Sequence, residues 1–179
     1  MHYATTNTSA ISKTKRKAGY LLTAILLGGL SVTSAQADDS KLYPGSYCKA
    51  RGSYSIDDMT SGTGAISNTS FSSSVTVNCP IIRDSMASDT GIRRVRIWFR
   101  NNNTEKKINC RVETHHRTGA LVKRVVGSTA LGARQGSLLI QYGGDAGVDR
   151  HYILACTLPP TVENFRFPSI DAFQVDEFN

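Results

Sequence analysis

The chain has 179 residues, of which 40% are hydrophobic, and its 21 Lys and Arg against 14 Asp and Glu give a formal charge of +7. This length and composition exclude a disordered chain and suit one ordinary domain with its own core. Four of the basic residues cluster between positions 13 and 17, so the overall charge overstates any affinity for nucleic acid, and we expect no nucleic-acid partner.

Residues 1–37 have the three parts of a secretory signal peptide. The basic cluster is followed by an apolar run over residues 18–30, and Ala35-Gln-Ala37 provides a cleavage site. The apolar run is shorter than the roughly 18–20 residues that a membrane-spanning helix needs. We predict a signal-peptide helix that is removed after Ala37, and a product without a membrane span in the periplasm or outside the cell. An uncleaved anchor is the alternative.

Removal of residues 1–37 leaves 142 residues, 38–179, with 17 basic and 14 acidic side chains and a net charge of +3. We predict that they form a single domain. Residues 38–44 read as a polar leader to a short strand at 47–50, and a Ser- and Gly-rich loop with another short strand near 64–68 follows. Residues 73–79 alternate Val and Cys with Thr and Asn, which predicts a strand that ends at Pro80.

Residues 91–113 contain two strongly alternating arms around an Asn-rich break. The apolar positions of the two arms are Val95, Ile97, Phe99, Ile108, Cys110 and Val112. The polar or aromatic positions between them are Arg94, Arg96, Trp98, Arg100, Lys107, Asn109, Arg111 and Glu113. Period-two alternation interrupted by turn residues predicts a β-hairpin with one apolar face and one basic face.

Four further strands are expected at 120–126, 137–142, 151–158 and 170–177, with Gly- and Pro-rich turns between them. No stretch outside the signal peptide has the periodicity of an amphipathic helix. About eight short strands at intervals near ten residues are typical of an all-β fold, an antiparallel β-sandwich or jelly roll. An up-and-down barrel is the alternative.

All four cysteines lie after residue 37, and an even number in an exported chain predicts two disulfides. Three pairings are possible. We favour Cys48–Cys79 with Cys110–Cys156, because Cys110 and Cys156 lie in similar alternating strands. A metal site is the competing interpretation, and no Cys-x-x-Cys spacing supports it.

Three short runs resemble those of small exported bacterial proteins that have no assigned function. The runs are Asn78-Cys-Pro80, the strand that contains Cys110, and Cys156-Thr-Leu-Pro159 before a last strand. The resemblance covers most of residues 38–179. It implies a disulfide-bonded β-sandwich and no particular activity.

The basic face of the predicted hairpin is the first candidate site. Its members are Arg94, Arg96, Trp98, Arg100, Lys107 and Arg111. Guanidinium groups pair with carboxylate, sulfate or phosphate, and an indole stacks on sugar rings. The pattern therefore predicts a surface for an acidic glycan, a lipid head group or an envelope protein. The simpler interpretation is a solvated sheet face whose arginines pair with acidic residues.

A metal site is the second candidate. If Cys110 and Cys156 lie directly opposite each other on antiparallel neighbours, His115 falls opposite His151, with Glu113 on the same face. Two imidazoles and a carboxylate are a ligand set for Zn²⁺ or Cu²⁺ with an open position. The competing interpretation is a pair of exposed histidines at the ends of two strands.

The sequence contains no Gly-x-Ser-x-Gly motif and no spare cysteine nucleophile once two bridges form. We therefore predict an exported, non-catalytic β-sandwich module without a cofactor. One alternative is a metal-dependent enzyme or metal-binding protein that uses His115, His151 and Glu113. Another is a structural subunit of a surface assembly that docks through an edge strand.

Overall fold

A computed structural model of the chain describes residues 39–52, 59–60, 64–83, 91–145, 147, 149–162 and 166–178, all within the compact unit Ala35–Asn179. These residues form two antiparallel β-sheets, which confirms the predicted antiparallel β-sandwich. The predicted signal peptide lies outside the described residues. No helix in the described part of the chain has the length and apolar character needed to cross a bilayer.

Within the described residues, sheet A contains six strands. They are β1 (Ser40–Pro44), β3 (Met59–Thr60), β4 (Ile66–Asn68), β6 (Ile92–Arg100), β9 (Gln135–Gln141) and β11 (Ser169–Glu177). Their order is β3-β4-β11-β6-β9, and β1 also pairs with β11. The last strand in the sequence is therefore central in this sheet, with β6 on one side and both β1 and β4 on the other.

Sheet B contains five strands within the same residues. They are β2 (Lys49–Ala50), β5 (Val75–Ile81), β7 (Asn109–His116), β8 (Leu121–Ser128) and β10 (Arg150–Leu158). Their order is β2-β5-β10-β7-β8. A single 3-10 turn, Gly45–Tyr47, connects β1 to the region of β2.

The inner faces of the two sheets share one hydrophobic core. The alternating residues Val95, Ile97 and Phe99 of β6 face it from sheet A, and Val112 and Leu154 face it from sheet B. Full burial of an aliphatic or aromatic side chain of this kind stabilises a fold by about 1.5–3 kcal/mol. The outer faces carry the charged side chains of the strands together with exposed apolar residues such as Val126 of β8 and Leu139 of β9.

Both disulfides form as predicted. Cys48 is bonded to Cys79, and Cys110 to Cys156. The second bridge joins residues that are directly opposite on β7 and β10, as the sequence register required. All four cysteines are buried; Cys79, Cys110 and Cys156 lie in strands of sheet B, and Cys48 lies between the 3-10 turn and β2.

The predicted hairpin is wrong, because β6 belongs to sheet A and β7 to sheet B. The Asn-rich segment between them crosses from one sheet to the other, with Asn101 and Asn103 buried and residues 104–107 exposed. Asn101 and Asn103 are 1% and 3% exposed. Asn101 Nδ2 donates to Lys106 O over 2.8 Å, and Asn103 Oδ1 accepts from Lys106 N over 2.9 Å. These bonds satisfy the polar groups that the crossing buries.

Two strand predictions are also corrected. The expected polar leader contains strand β1, whose backbone pairs with β11 although its sequence shows little alternation. Strand β5 continues through Pro80 to Ile81. Proline is tolerated there because β2 pairs with β5 only at Asn78 and Val77, so beside Pro80 the strand has a single neighbour, β10.

Candidate functional site

The outer face of sheet A presents Arg94, Arg96, Trp98 and Arg100 of β6, as the alternation predicts. Arg94 is committed to an ion pair with Asp176 of β11, a carboxylate that is only 3% exposed. Burial raises the pKa of Asp176, but hydrogen bonds from Arg94, Gln174 and Ser40 outweigh burial and hold it below its ordinary value. This end of the face is therefore neutralised.

Arg100 lies at the other end of β6 and is paired differently. Its Nε and Nη2 donate to Asp171 Oδ1 over 3.0 and 2.9 Å, a forked contact. The two side chains are 54% and 37% exposed, so water screens this pair. Arg100 thus stays accessible to a ligand, unlike Arg94.

A cavity of about 490 Å³ opens beside Arg100. Its lining includes Arg100, Asn102, Arg134, Gln135, Arg166 and Phe167. A second cavity of about 400 Å³ adjoins it and shares Arg100 and Gln135. Trp98 and Ser137 lie in the lining of the second cavity. We call the two cavities together the arginine groove.

The indole of Trp98 is half-buried and lines the second cavity between small neighbours. In the ladders, Trp98 is opposite Ser137 of β9 and Ala172 of β11, and neither side chain is large enough to cover a ring. The groove on this part of sheet A therefore follows from the small residues that flank a large aromatic one.

The asparagine crossing fixes the two arginines that come from loops. The backbone N–H of Asn101 donates to Arg134 O over 2.6 Å. Asn102 Nδ2 donates to Thr161 Oγ1 over 3.1 Å, and Thr161 Oγ1 donates to Arg166 O over 3.2 Å. The backbones of Arg134 and Arg166 are thus tied to the end of β6, although their side chains are exposed.

The groove carries unneutralised positive charge. Among the described residues, no carboxylate lies within ion-pair distance of Arg134 or Arg166. Asp171 is the only acidic residue in the described lining, and it is already paired with Arg100. Guanidinium groups in this state offer planar forks of donors to a carboxylate or sulfate.

Lys107 and Arg111 do not join this face, which corrects the single six-residue surface. Lys107 is exposed in the crossing segment, and Arg111 lies on sheet B. The residues that the sequence prediction missed are Arg134, Gln135, Arg166 and Phe167. Folding brings them to β6 from distant segments, and the aromatic-flanked run Phe165-Arg166-Phe167 is the one local signal of their role.

The outer face of sheet B holds the residues of the metal prediction. His115 and His151 are directly opposite, as predicted, with nearly parallel rings whose centroids are 5.4 Å apart. Glu113 is beside them and 6% exposed. It accepts hydrogen bonds from Arg111 Nε over 2.8 Å and Arg124 Nε over 2.7 Å.

Other contacts occupy the polar atoms of His115 and Glu113, and the metal site stays a prediction. His115 Nδ1 lies 3.2 Å from Gly119 O and His115 Nε2 lies 3.3 Å from Glu113 Oε2, so both ring nitrogens already face acceptors. Nowhere in the described residues are three His, Cys, Asp or Glu side chains arranged to hold a metal ion. Burial raises the pKa of Glu113, but hydrogen bonds from His115, Arg111 and Arg124 outweigh burial and hold it below its ordinary value.

No protein-family model and no characterised protein sequence matches this chain. Solved structures with a similar strand arrangement include a family two carbohydrate esterase from Cellvibrio japonicus, at 9% identity and a TM-score of 0.44. The match covers 79% of this chain and 35% of the esterase chain, so this chain spans about a third of that protein.

Two smaller structures are similar over most of their length. TmCBM61, solved with β-1,4-galactotriose, matches at 14% identity and a TM-score of 0.43, over 76% of this chain and 90% of its own. CsCBM6-3 from Clostridium stercorarium, solved with cellobiose, matches at 16% identity and a TM-score of 0.36, over 78% and 87%. Similarity at these identities and TM-scores does not assign a function to this chain.

Proposed function

We propose that the protein is an exported, non-catalytic module that binds an anionic polysaccharide in the arginine groove. One observation carries the proposal: a half-buried indole and two arginines that have no carboxylate partner among the described residues line the same open groove. An indole offers an apolar plane to the face of a sugar ring, and guanidinium groups offer paired donors to its carboxylate or sulfate.

The shape of the groove also supports a chain-like ligand. Its two adjoining cavities run from Trp98 past Arg100 and Gln135 to Arg166. The volumes of about 490 and 400 Å³ lie within the range of small-molecule sites, roughly 300–1,000 Å³. Gln135 and Asn102 add amide groups that hydrogen-bond to hydroxyls. We propose a segment of a few acidic sugar residues as the bound unit.

Export fits this role. The two buried disulfides are typical of oxidising compartments such as the periplasm or the cell exterior, where acidic polysaccharides are also exposed. We propose that residues 1–37 direct this export and that residues 38–179 are the functional domain. No catalytic step is assigned to the groove, whose one described carboxylate, Asp171, is held in an ion pair by Arg100.

The test is calorimetric titration of the oxidised protein with heparin, polygalacturonate and neutral dextran at low and at physiological salt. We expect binding of the two anionic chains and none of dextran, with affinity that falls as salt rises. Replacement of both loop arginines, Arg134→Ser with Arg166→Ser, is expected to weaken binding at least about tenfold, or about 1.4 kcal/mol.

The matched control removes two charges outside the groove, Arg96→Ser with Lys107→Ser, and is expected to change affinity by less than about twofold. Equal losses in both double variants would show a diffuse charge effect and end the proposal. Tight binding of a single-stranded oligonucleotide in preference to the glycans would redirect it to nucleic acid.

A further inference from the structure

Besides the shorter strands β1, β2 and β3, each sheet has one longer strand that pairs on one side only within the described residues. In sheet A this strand is β9, which pairs with β6, and in sheet B it is β8, which pairs with β7. The open side of an edge strand carries unpaired N–H and C=O groups and is a template for another strand. Strands β8 and β9 differ in the features that control pairing with a further strand.

Strand β8 carries two features that discourage pairing. Lys123 points into the sandwich, where its Nζ donates to Tyr142 O over 2.7 Å and to Gly144 O over 2.6 Å. The ladder with β7 is also irregular, with a register shift between Thr114 and His115. An inward charge and a bulge on an edge strand both hinder the approach of a second strand.

Strand β9 has neither feature. Its seven residues, Gln-Gly-Ser-Leu-Leu-Ile-Gln, include no charge and no proline. Its ladder with β6 is unbroken from Gln135 to Gln141. Leu139 points outward and is 40% exposed. A regular, uncharged strand with an exposed leucine is a favourable surface for strand addition.

We propose that β9 pairs antiparallel with β9 of a second copy of this chain, about a twofold axis beside Leu138. In this register Gln135 faces Gln141 of the second copy, and Ser137 faces its Leu139. Because the paired positions are both odd or both even, outward side chains meet outward ones and inward side chains meet inward ones. A glutamine lies at each end of the strand, so in this register the terminal glutamines of the two copies meet.

Charge supports a second copy as the occupant. No ionic groups meet across the new ladder, since β9 has none. The arginines of β6 lie one strand further in, so those of the two copies are separated by three strand spacings, about 14 Å. That exceeds the screening length of about 8 Å at physiological salt. A strongly acidic or basic peptide would find no complementary charge on β9 itself.

The pairing would also join two arginine grooves, a consequence that rests on the proposed function. Gln135 and Ser137 belong to β9 and line the groove, so two paired copies present their grooves on one continuous sheet face. A polysaccharide long enough to reach both would bind bivalently, with higher apparent affinity and no new contact. Dimer formation itself does not depend on any ligand.

The test is sedimentation equilibrium of the oxidised full chain from about 1 to 100 μM, without ligand, a range that covers typical weak dimers. We expect a dimer that the double variant Ser137→Lys with Leu139→Lys converts to a monomer, because the register sets each new lysine opposite another. The matched control places the same two charges on exposed positions of β8, Val126→Lys with Ser128→Lys, and keeps the dimer.

A monomeric wild-type protein over this range overturns the proposal, and so does a dimer that the β9 variant retains. A second readout is Leu138→Cys, which puts a thiol at the twofold axis and is expected to give a disulfide-linked dimer under mild oxidation. Ser128→Cys on β8 serves as its control. A dimer that binds no anionic glycan would remove the proposed function and leave this inference standing.

Discussion

The outer faces of the two sheets both carry arginines, but they hold them in different states. On sheet B, Arg111 and Arg124 surround the buried carboxylate of Glu113. On sheet A, Arg134 and Arg166 border a groove without a carboxylate partner among the described residues. The role of an arginine therefore depends on its ion-pair partner. Arg111 and Arg124 stabilise the fold through Glu113, whereas the guanidinium groups of Arg134 and Arg166, which have no ion-pair partner among the described residues, are available to a ligand.

The largest effect is expected from removal of the sheet B carboxylate. Glu113→Ala leaves two half-buried guanidinium groups unpaired, and we expect a loss of about 2–3 kcal/mol in the free energy of unfolding. Asp171→Ala removes the exposed partner of Arg100 and is expected to cost less than about 1 kcal/mol. Urea unfolding with both disulfides intact measures each. Equal losses of unfolding free energy in the Glu113→Ala and Asp171→Ala variants would contradict the contrast between the two faces.

Removal of the Trp98 indole is expected to lower the affinity for the ligand and to leave the fold intact. Trp98→Ala is expected to weaken binding of the anionic glycan about five- to tenfold, or about 1–1.4 kcal/mol, because the sugar loses its stacking surface. Calorimetric titration measures the change. Phe71→Ala removes an aromatic side chain that is 62% exposed outside the groove lining, and it serves as a control with unchanged affinity. An affinity unaffected by Trp98→Ala would exclude stacking.

Acid should weaken the carboxylate anchors of both sheets. The folded-state pKa of Glu113 lies below its ordinary value of 4.5, so its contribution to stability is complete above that pH and is lost as pH falls through the folded pKa. Asp176 behaves in the same way below its ordinary 3.8. We expect the urea midpoint to fall on acidification and Glu113→Gln to flatten this dependence. An unchanged slope in that variant would show that Glu113 does not titrate with folding.

The smallest effect on ligand affinity is expected from a substitution that changes the shape of the groove and leaves its charge unchanged. Ser137→Leu places a branched side chain opposite Trp98 and partly covers its ring, and we expect binding to weaken about threefold, or about 0.7 kcal/mol. Ser128→Leu on β8 adds the same bulk away from the groove and should leave affinity unchanged. Affinity that rises with Ser137→Leu would mean that the groove prefers an apolar ligand.

The sequence predicted features that depend on a single strand or on one fixed pair of residues. It could not predict which strands pair with each other. Alternation in β6 placed Arg94, Arg96 and Trp98 on one face, because side chains alternate in any strand whatever its neighbours are. The facing cysteines also placed His115 opposite His151 correctly, since one fixed pair sets a whole ladder. Alternation within a strand and one fixed residue pair therefore determine which side chains share a face, whatever the neighbouring strands are.

The sheet to which each strand belongs was not predictable in this way. An Asn-rich segment suits a tight turn and a buried crossing equally well, and only tertiary hydrogen bonds such as that of Asn103 Nδ2 to Pro160 O distinguish them. The groove was missed for the same reason, because Arg134 and Arg166 reach it through backbone contacts to Asn101 and Thr161. Strand β1 was missed because its partner β11 is far away in sequence.

The central place of β11 in sheet A has a consequence for biogenesis. Strands β1, β4 and β6 all pair with this one segment, which follows them in the sequence, so their layer of the sandwich cannot be completed before β11 has been synthesised. Pairings between such distant segments form slowly.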